Sequence, residues 1–127
     1  MNYEHKAGLT IIGEQIKSST FTIGDYNGGE NVEIGLNYNV KGYVNSSLGC
    51  YDNTLVKANA IIKIYDITNG SNNLVYEKGF NTTQGTINFS TTTNLPHSKN
   101  YRIEILNGNY SPNRCVDAFV SLRVKKY

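Results

Sequence analysis

The sequence contains no tryptophan and little histidine, cysteine or proline, and each scarcity excludes a kind of chemistry. Its 127 residues include two His, two Cys and two Pro. Histidine is the usual general base near neutral pH, and His5 and His97 are far apart in the chain. Two cysteines and two distant histidines make no zinc-type cluster. No Gly-X-Ser-X-Gly elbow and no phosphate-binding loop occurs, so we predict a protein that is not an enzyme and has no cofactor.

Charge and long apolar runs are also scarce. Charged residues make up 17% of the chain and the formal net charge is +2, whereas soluble domains usually have roughly 25% charged residues. A charge this small does not predict a nucleic-acid partner. No run reaches the roughly 18 apolar residues that span a bilayer, so no transmembrane segment is predicted. A pair of carboxylates could hydrolyse glycosides within a cleft, but the ten acidic residues are scattered.

The chain is rich in residues that favour strands and turns. Tyr occurs ten times and Gly twelve times. Thr and Tyr favour pleated strands, whereas Asn and Gly tolerate the positive φ values of turns. No stretch of twelve residues has a convincing helical period. At this length we expect a single domain over residues 1–127, with residues 1–7 as a flexible tail.

Alternation of apolar and polar residues predicts about seven strands at the spacing of a β-sandwich. The clearest is 32–40, in which apolar residues alternate with polar residues or glycine. Residues 8–16 are ambiguous, because three apolar residues would share a helix face, but two glycines and a Thr-Ile-Ile cluster favour an extra edge strand. In chain order the predicted strands A to G are 19–24, 32–40, 55–68, 74–80, 85–92, 99–107 and 116–125.

The segment Leu95–Tyr101 combines a Leu, a Pro and, six residues after the Leu, a Tyr that leads into an alternating strand. It resembles the tyrosine corner of fibronectin type III and immunoglobulin-like sandwiches, in which the Tyr hydroxyl bonds back to upstream backbone. The resemblance implies an all-β, immunoglobulin-like antiparallel β-sandwich of seven to eight strands with Greek-key connections. The resemblance is close over this segment and extends to the other strands only through their spacing along the chain. It therefore implies a fold and no activity.

The predicted strand order, placed on such a sandwich, favours one disulfide, which differs from the usual bridge between strands B and F of antibody domains because neither Cys lies inside a core strand. Cys50 lies between strands B and C, and Cys115 lies at the end of the loop between F and G; these two loops leave the same end of an immunoglobulin-like sandwich. A bridge that closes about 65 residues would stabilise the fold by roughly 4 kcal/mol. The alternative is two free thiols in a cytosolic protein. The cysteines and the composition favour a secreted protein, and we expect its mature form with the leader removed.

The two loops also carry residues typical of binding surfaces. Antibody paratopes use Tyr, Asn, Ser and Gly, because Tyr buries much area at small entropic cost and Asn adapts its hydrogen bonds. A disulfide between the loops would reduce the ordering cost of binding. The alternative is that surface Tyr and Asn reflect composition and strand propensity alone. The predicted binding residues are Tyr43, Tyr51, Asp52, Asn53, Tyr110 and Arg114.

One polar turn offers a different kind of site, for calcium. Asp25, Asn27, Glu30 and Glu33 crowd a glycine-containing turn, and Ca²⁺ prefers oxygen ligands in a flexible loop. The spacing matches no EF-hand loop, and a Gly-Gly hairpin with solvated acids is the commoner arrangement. We therefore predict no metal.

Together these patterns predict a secreted, non-catalytic binding module whose partner is a protein or a glycan. The lack of Trp counts against a glycan, because Trp is the favoured platform for sugars, although Tyr can substitute. A first alternative is a membrane-active toxin or antimicrobial protein, for which 82–92 is a candidate amphipathic hairpin. A second is a small protease inhibitor on an immunoglobulin-like frame, although the loop motifs of such inhibitors are not found.

Overall fold

Two four-stranded antiparallel sheets face each other in the computed structural model, which describes residues 3–12, 16–26, 29–44, 58–82, 86–107 and 114–125. These residues form eight strands and one 3₁₀ turn, Thr68–Gly70. The predicted all-β sandwich of antiparallel sheets is confirmed. The strands are β1 Tyr3–Ile12, β2 Ile16–Ile23, β3 Asn31–Val44, β4 Ala58–Asp66, β5 Asn73–Thr82, β6 Thr86–Pro96, β7 Lys99–Asn107 and β8 Arg114–Lys125.

The strand order is nested. Sheet 1 has the order β1-β8-β3-β6, and sheet 2 has the order β2-β7-β4-β5. The first strand pairs with the eighth, the second with the seventh, the third with the sixth and the fourth with the fifth. This is the pattern of an eight-stranded double-sheet jelly roll.

The immunoglobulin arrangement expected from the sequence differs from the one observed. In that arrangement the last two strands, F and G, belong to the same sheet. Here β7 lies in sheet 2, whereas β8 lies between β1 and β3 in sheet 1. Alternation of side chains determines which face of a strand is buried, but not which strand lies beside it. The same apolar pattern therefore fits both arrangements.

Strand limits also differ from the predicted ones, most of all at the N-terminus. β1 begins at Tyr3, so residues 3–7 lie in a strand where a flexible tail was expected. The ambiguous segment 8–16 is not one strand, because β1 ends at Ile12 and Ile16 begins β2. The pairing of β1 with β8 accounts for this extension, since it continues to Tyr3 opposite Lys125.

The core lies between the sheets and is built from alternate residues of strands in both layers. Burying each large aliphatic side chain stabilises the fold by about 1.5–3 kcal/mol. Sheet 1 contributes its apolar face through β1, β3, β6 and β8, and sheet 2 through β2, β4 and β7. The buried apolar residues are Ala7, Leu9, Ile11, Phe21, Ile23, Val32, Ile34, Leu36, Tyr38, Ala60, Ile62, Ile64, Leu95, Tyr101, Ile103, Ile105, Ala118, Val120, Leu122 and Val124.

Tyr101 fixes the connection that carries the chain from sheet 1 to sheet 2. β6 ends at Pro96 in sheet 1 and β7 begins at Lys99 in sheet 2. The Tyr101 hydroxyl donates a hydrogen bond of 2.5 Å to the Pro96 carbonyl oxygen, as expected for a tyrosine corner. Its ring is fully buried and stacks 5.4 Å from that of Phe21. Burial and then the Asp66 carboxylate raise the pKa of Tyr101 to about 12.

Replacing Tyr101 with Phe should lower the free energy of unfolding by about 1–2 kcal/mol, because the Pro96 carbonyl loses its donor while the ring remains. Denaturant unfolding measures this loss. The pKa of Tyr101 is raised in the folded chain, so the unfolded chain loses this proton first as pH rises. The wild type should therefore lose stability from pH 10 through pH 12, and Tyr101→Phe should lose less.

The matched control is Tyr65→Phe, which removes a hydroxyl from the outer face of sheet 2. It should change stability by less than about 0.5 kcal/mol. An equal loss in the two variants, or the same alkaline slope with and without the Tyr101 hydroxyl, would contradict the role given to Tyr101.

Candidate interaction surfaces

One end of the sandwich brings together the strand ends that flank the predicted binding loops. The β3–β8 ladder runs from Ile34 opposite Val124 to Val44 opposite Arg114. The chain leaves β3 after Val44 and enters β8 at Arg114. The connections 45–57 and 108–113 therefore join the sandwich at the same end, through direct pairing of β3 with β8. We call this end, marked by Val44 and Arg114, the loop pole.

The structure describes part of the predicted binding and disulfide residues. Tyr43 and Arg114 are placed by the backbones of β3 and β8, and Cys115 lies directly opposite Tyr43. The pairing of the cysteines and the contacts of the loop residues stay predictions. The predicted residues that lie outside the described ones are Cys50, Tyr51, Asp52, Asn53, Tyr110 and the turn residue Asn27.

Two acidic residues of the predicted calcium turn, Asp25 and Glu33, bond to separate partners. Ser98 Oγ donates a hydrogen bond of 2.6 Å to Asp25 Oδ1. The hydroxyl of Tyr3 donates to Glu33 Oε2, and Glu30 is exposed. In the described part of the chain no three His, Cys, Asp or Glu side chains are placed to hold a metal. The carboxylates of Asp25 and Glu33 therefore act in local hydrogen bonds.

A hydroxyl, an imidazole and a carboxylate meet at the turn between β6 and β7, in an order unlike that of a catalytic triad. Ser98 Oγ lies 2.8 Å from His97 Nδ1 and donates to Asp25. Since a hydroxyl has one hydrogen, His97 Nδ1 must be the donor to Ser98. In a catalytic triad the imidazole accepts the serine proton and the carboxylate orients the imidazole. Here the serine is central, so this cluster holds the turn and does not activate Ser98.

An arginine on the outer face of sheet 1 lies between a tyrosine and a glycine. The guanidinium carbon of Arg123 is 4.7 Å from the centre of the Tyr3 ring. A Cβ atom added at Gly35 would be 2.8 Å from Arg123 Nε. The hydrogen bond to Glu33 and then burial raise the pKa of Tyr3. These residues tie β1 to β3 across β8. The sequence prediction missed this contact, although a glycine inside a strand is a signal for close approach.

On the side where β5 and β6 form the sheet edges, aromatic side chains bridge the two layers. The ring of Tyr38 stacks 6.0 Å from Phe89, and its hydroxyl is 2.8 Å from the hydroxyl of Tyr76. Burial and then the hydrogen bond with Tyr76 raise the pKa of Tyr38 well above its usual range. Lys78 Nζ lies 5.7 Å from the centre of the Phe89 ring. These four side chains cover the core along this side.

The outer face of sheet 2 has a charged row and an apolar row. Lys63 and Glu77 form an ion pair of 3.6 Å across β4 and β5. Nearer the loop pole, Leu106 on β7 lies opposite Ile16 on one side and Ile61 on the other. Ile16 is 50% exposed. Apolar surface is therefore available beside the loop pole.

The stretch 82–92, expected as a candidate amphipathic hairpin, is divided between the two sheets. β5 ends at Thr82 in sheet 2, whereas β6 begins at Thr86 in sheet 1. Their hydrogen-bonded neighbours are β4 and β3, so β5 and β6 do not form a hairpin with each other. The described residues also include no helix with the length and apolar character that crossing a bilayer requires.

Solved structures contain chains with a similar fold. No protein-family model matches the chain, and no curated protein matches its sequence. A chain in a structure of infectious bursal disease virus, Gx strain, is similar with a TM-score of 0.50 and 13% identity, over 97% of this chain and 30% of that one. At this identity the likeness shows a shared β-sandwich fold alone.

Two bacterial proteins are similar at slightly lower scores. Dimeric latent PorU from Porphyromonas gingivalis has a TM-score of 0.49 and 12% identity, over 98% of this chain and 13% of that one. A protein from Sulfurospirillum deleyianum has a TM-score of 0.48 and 13% identity, over 95% of this chain and 99% of that one. The chain thus spans less than a third of the length of the viral chain and of PorU.

Replacing Gly35 with Ala should be less favourable than an ordinary Gly→Ala change in a strand, because the added Cβ displaces the exposed Arg123 side chain from its place against β3. The same change in an Arg123→Ala background should be neutral or stabilising, since glycine inside a strand costs roughly 0.5–1 kcal/mol relative to alanine. Chemical unfolding of the four proteins gives the coupling between the two positions. Additive effects would show that Arg123 does not lie over Gly35.

Proposed function

We propose that this protein is a secreted, non-catalytic binding module that contacts a protein or a glycan through its loop pole. The observation that carries the proposal is the β3–β8 register, in which Val44 lies opposite Arg114 and Tyr43 opposite Cys115. The connections that carry Tyr51 and Tyr110 join the sandwich beside these rungs. The strand ends that flank these two connections thus lie at one end of the fold, which supports the proposed surface.

The frame beneath the loop pole is a regular antiparallel ladder that could position such a surface. Eleven consecutive cross-strand residue pairs join β3 to β8 without a register shift. Binding residues are commonly found on loops held by a rigid scaffold. The apolar row that includes the half-exposed Ile16 lies next to this end. Protein interfaces combine an apolar centre with a polar rim, and the loop pole offers residues of both kinds.

A disulfide between Cys50 and Cys115 would restrain the loop pole. Cys115 lies one rung inside the end of the ladder, and Cys50 follows Val44 by six residues. Six residues span up to about 20 Å, whereas the Cα atoms of a disulfide are roughly 5.5–6 Å apart. The chain is therefore long enough to return Cys50 to Cys115. A bridge at this place would order the loop before a partner binds.

Replacing Tyr51 and Tyr110 together with Ala should weaken partner binding at least about tenfold, because each aromatic side chain would be a buried anchor in the complex. The labelled protein is tested against an array of glycans and a display library of extracellular proteins. The melting temperature should stay close to that of the wild type, since the sequence places both residues in predicted loops outside the alternating strands.

The matched control replaces Tyr26 and Tyr65, two tyrosines at the opposite end, with Ala, and it should leave binding intact. Alkylation should add two groups after reduction and none before, and the reduced, alkylated protein should bind more weakly. Unchanged binding by Tyr51→Ala/Tyr110→Ala would refute the proposed surface. Two reactive thiols without reductant would refute the disulfide.

A further inference from the structure

The edge strands of a sandwich can pair with further strands unless charges, bulges or short length prevent it. β1 carries Glu4 and Lys6 and has a register shift in its pairing with β8. β2 has eight residues and carries Lys17. β5 carries Glu77 and Lys78, and its pairing with β4 also contains a register shift. Three of the four edges are therefore protected.

β6 lacks these protections along most of its length. It has eleven residues, none of them charged, and Pro96 stands only at its last position. It pairs with β3 without a register shift, from Asn31 opposite Pro96 to Lys41 opposite Thr86. Among the described strands, β3 lies on one side of β6 and no strand lies on the other. A long, regular and uncharged edge presents backbone N–H and C=O groups to another strand.

We propose that β6 pairs antiparallel with β6 of a second copy of this chain, so that sheet 1 continues across a two-fold dimer. Two copies that use the same surface form a closed, isologous interface. The longest overlap of the strand with itself places the two-fold axis at Thr91, the middle residue of Thr86–Pro96. This surface is separate from the loop residues of the proposed binding module, so either proposal can fail without the other.

The outer side chains of β6 are complementary to themselves in this register. Ser90 lies opposite Thr92 of the other copy, and Asn88 lies opposite Asn94, and all four side chains are exposed. Hydroxyl pairs across strands are favourable. Asn88 already accepts a hydrogen bond of 2.5 Å from Asn39 within the sheet, which shows that amide pairs suit this face.

The inner side chains also favour a second copy. Phe89 is 41% exposed, and the register places it opposite Thr93, so pairing removes part of its ring from water. Because β6 has no charged side chain, its pairing with a second β6 brings no like charges of this strand together. A charged peptide would find no partner charge on this strand, whereas a second β6 needs none. A single pair of strands buries less than the roughly 1,200 Å² of standard interfaces, so the dimer should form reversibly as concentration rises.

Sedimentation velocity across micromolar to millimolar concentrations tests the dimer. The wild type should shift from monomer to dimer, and Thr91→Lys should weaken association at least about tenfold, because the axis places the two added charges opposite each other. Thr92→Lys, at an exposed position of the same strand, is a second variant in case the first does not fold. Thr10→Lys makes the same change on the exposed face of β1 and should dimerise like the wild type.

Hydrogen exchange of the wild type locates the contact. Amides of β6 that are open in the monomer should gain protection as concentration rises, whereas those of β1 and β2 should not. A protein that stays monomeric at millimolar concentration would overturn the proposal. Equal dimerisation of the β6 variants and the control, protection at another edge, or growth into open filaments would overturn it as well.

Discussion

The antiparallel pairing of β3 with β8 is the interaction on which the rest of this structure depends. It inserts the last strand of the chain into the middle of sheet 1, where Leu122 lies opposite Leu36 and Val120 opposite Tyr38. All four side chains are buried. Among the described strands β1 pairs with β8 alone in sheet 1, so the N-terminal strand also depends on this ladder. The same ladder joins two distant connections to one end of the sandwich, which is the basis of the proposed binding surface.

The opposite end of the sandwich is held by specific hydrogen bonds. There the chain passes from β6 to β7 through Ser98, which has a positive φ of 58°. Tyr101 bonds to Pro96, and Asp25 accepts a hydrogen bond from Ser98. His97 donates its backbone amide to the Glu30 carbonyl. The polar groups at this end therefore stabilise the turn itself, whereas the loop pole is defined by the strand ends that flank the predicted binding loops.

Local patterns predicted the strands and the tyrosine corner, but not the neighbours of each strand. Alternation of apolar residues identified 32–40 and 116–125, and the spacing of Leu95 and Tyr101 identified the crossover. The start of β1 was missed, because Glu4, His5 and Lys6 and a register shift interrupt its alternation. The position of β8 beside β3 depends on long-range pairing that a pattern along one strand does not contain. The candidate loop residues followed from composition, and only the strands on either side of them are placed by the structure.

The pairing of β3 with β8 is tested most directly by NMR of the isotopically labelled protein. We predict a continuous series of cross-strand backbone NOEs along the ladder, including residues 36 with 122, 38 with 120 and 43 with 115. A continuous series between β8 and β7 instead would give the immunoglobulin order of the last two strands. That result would contradict the jelly-roll arrangement and the pairing of Val44 with Arg114 by which the loop pole is defined.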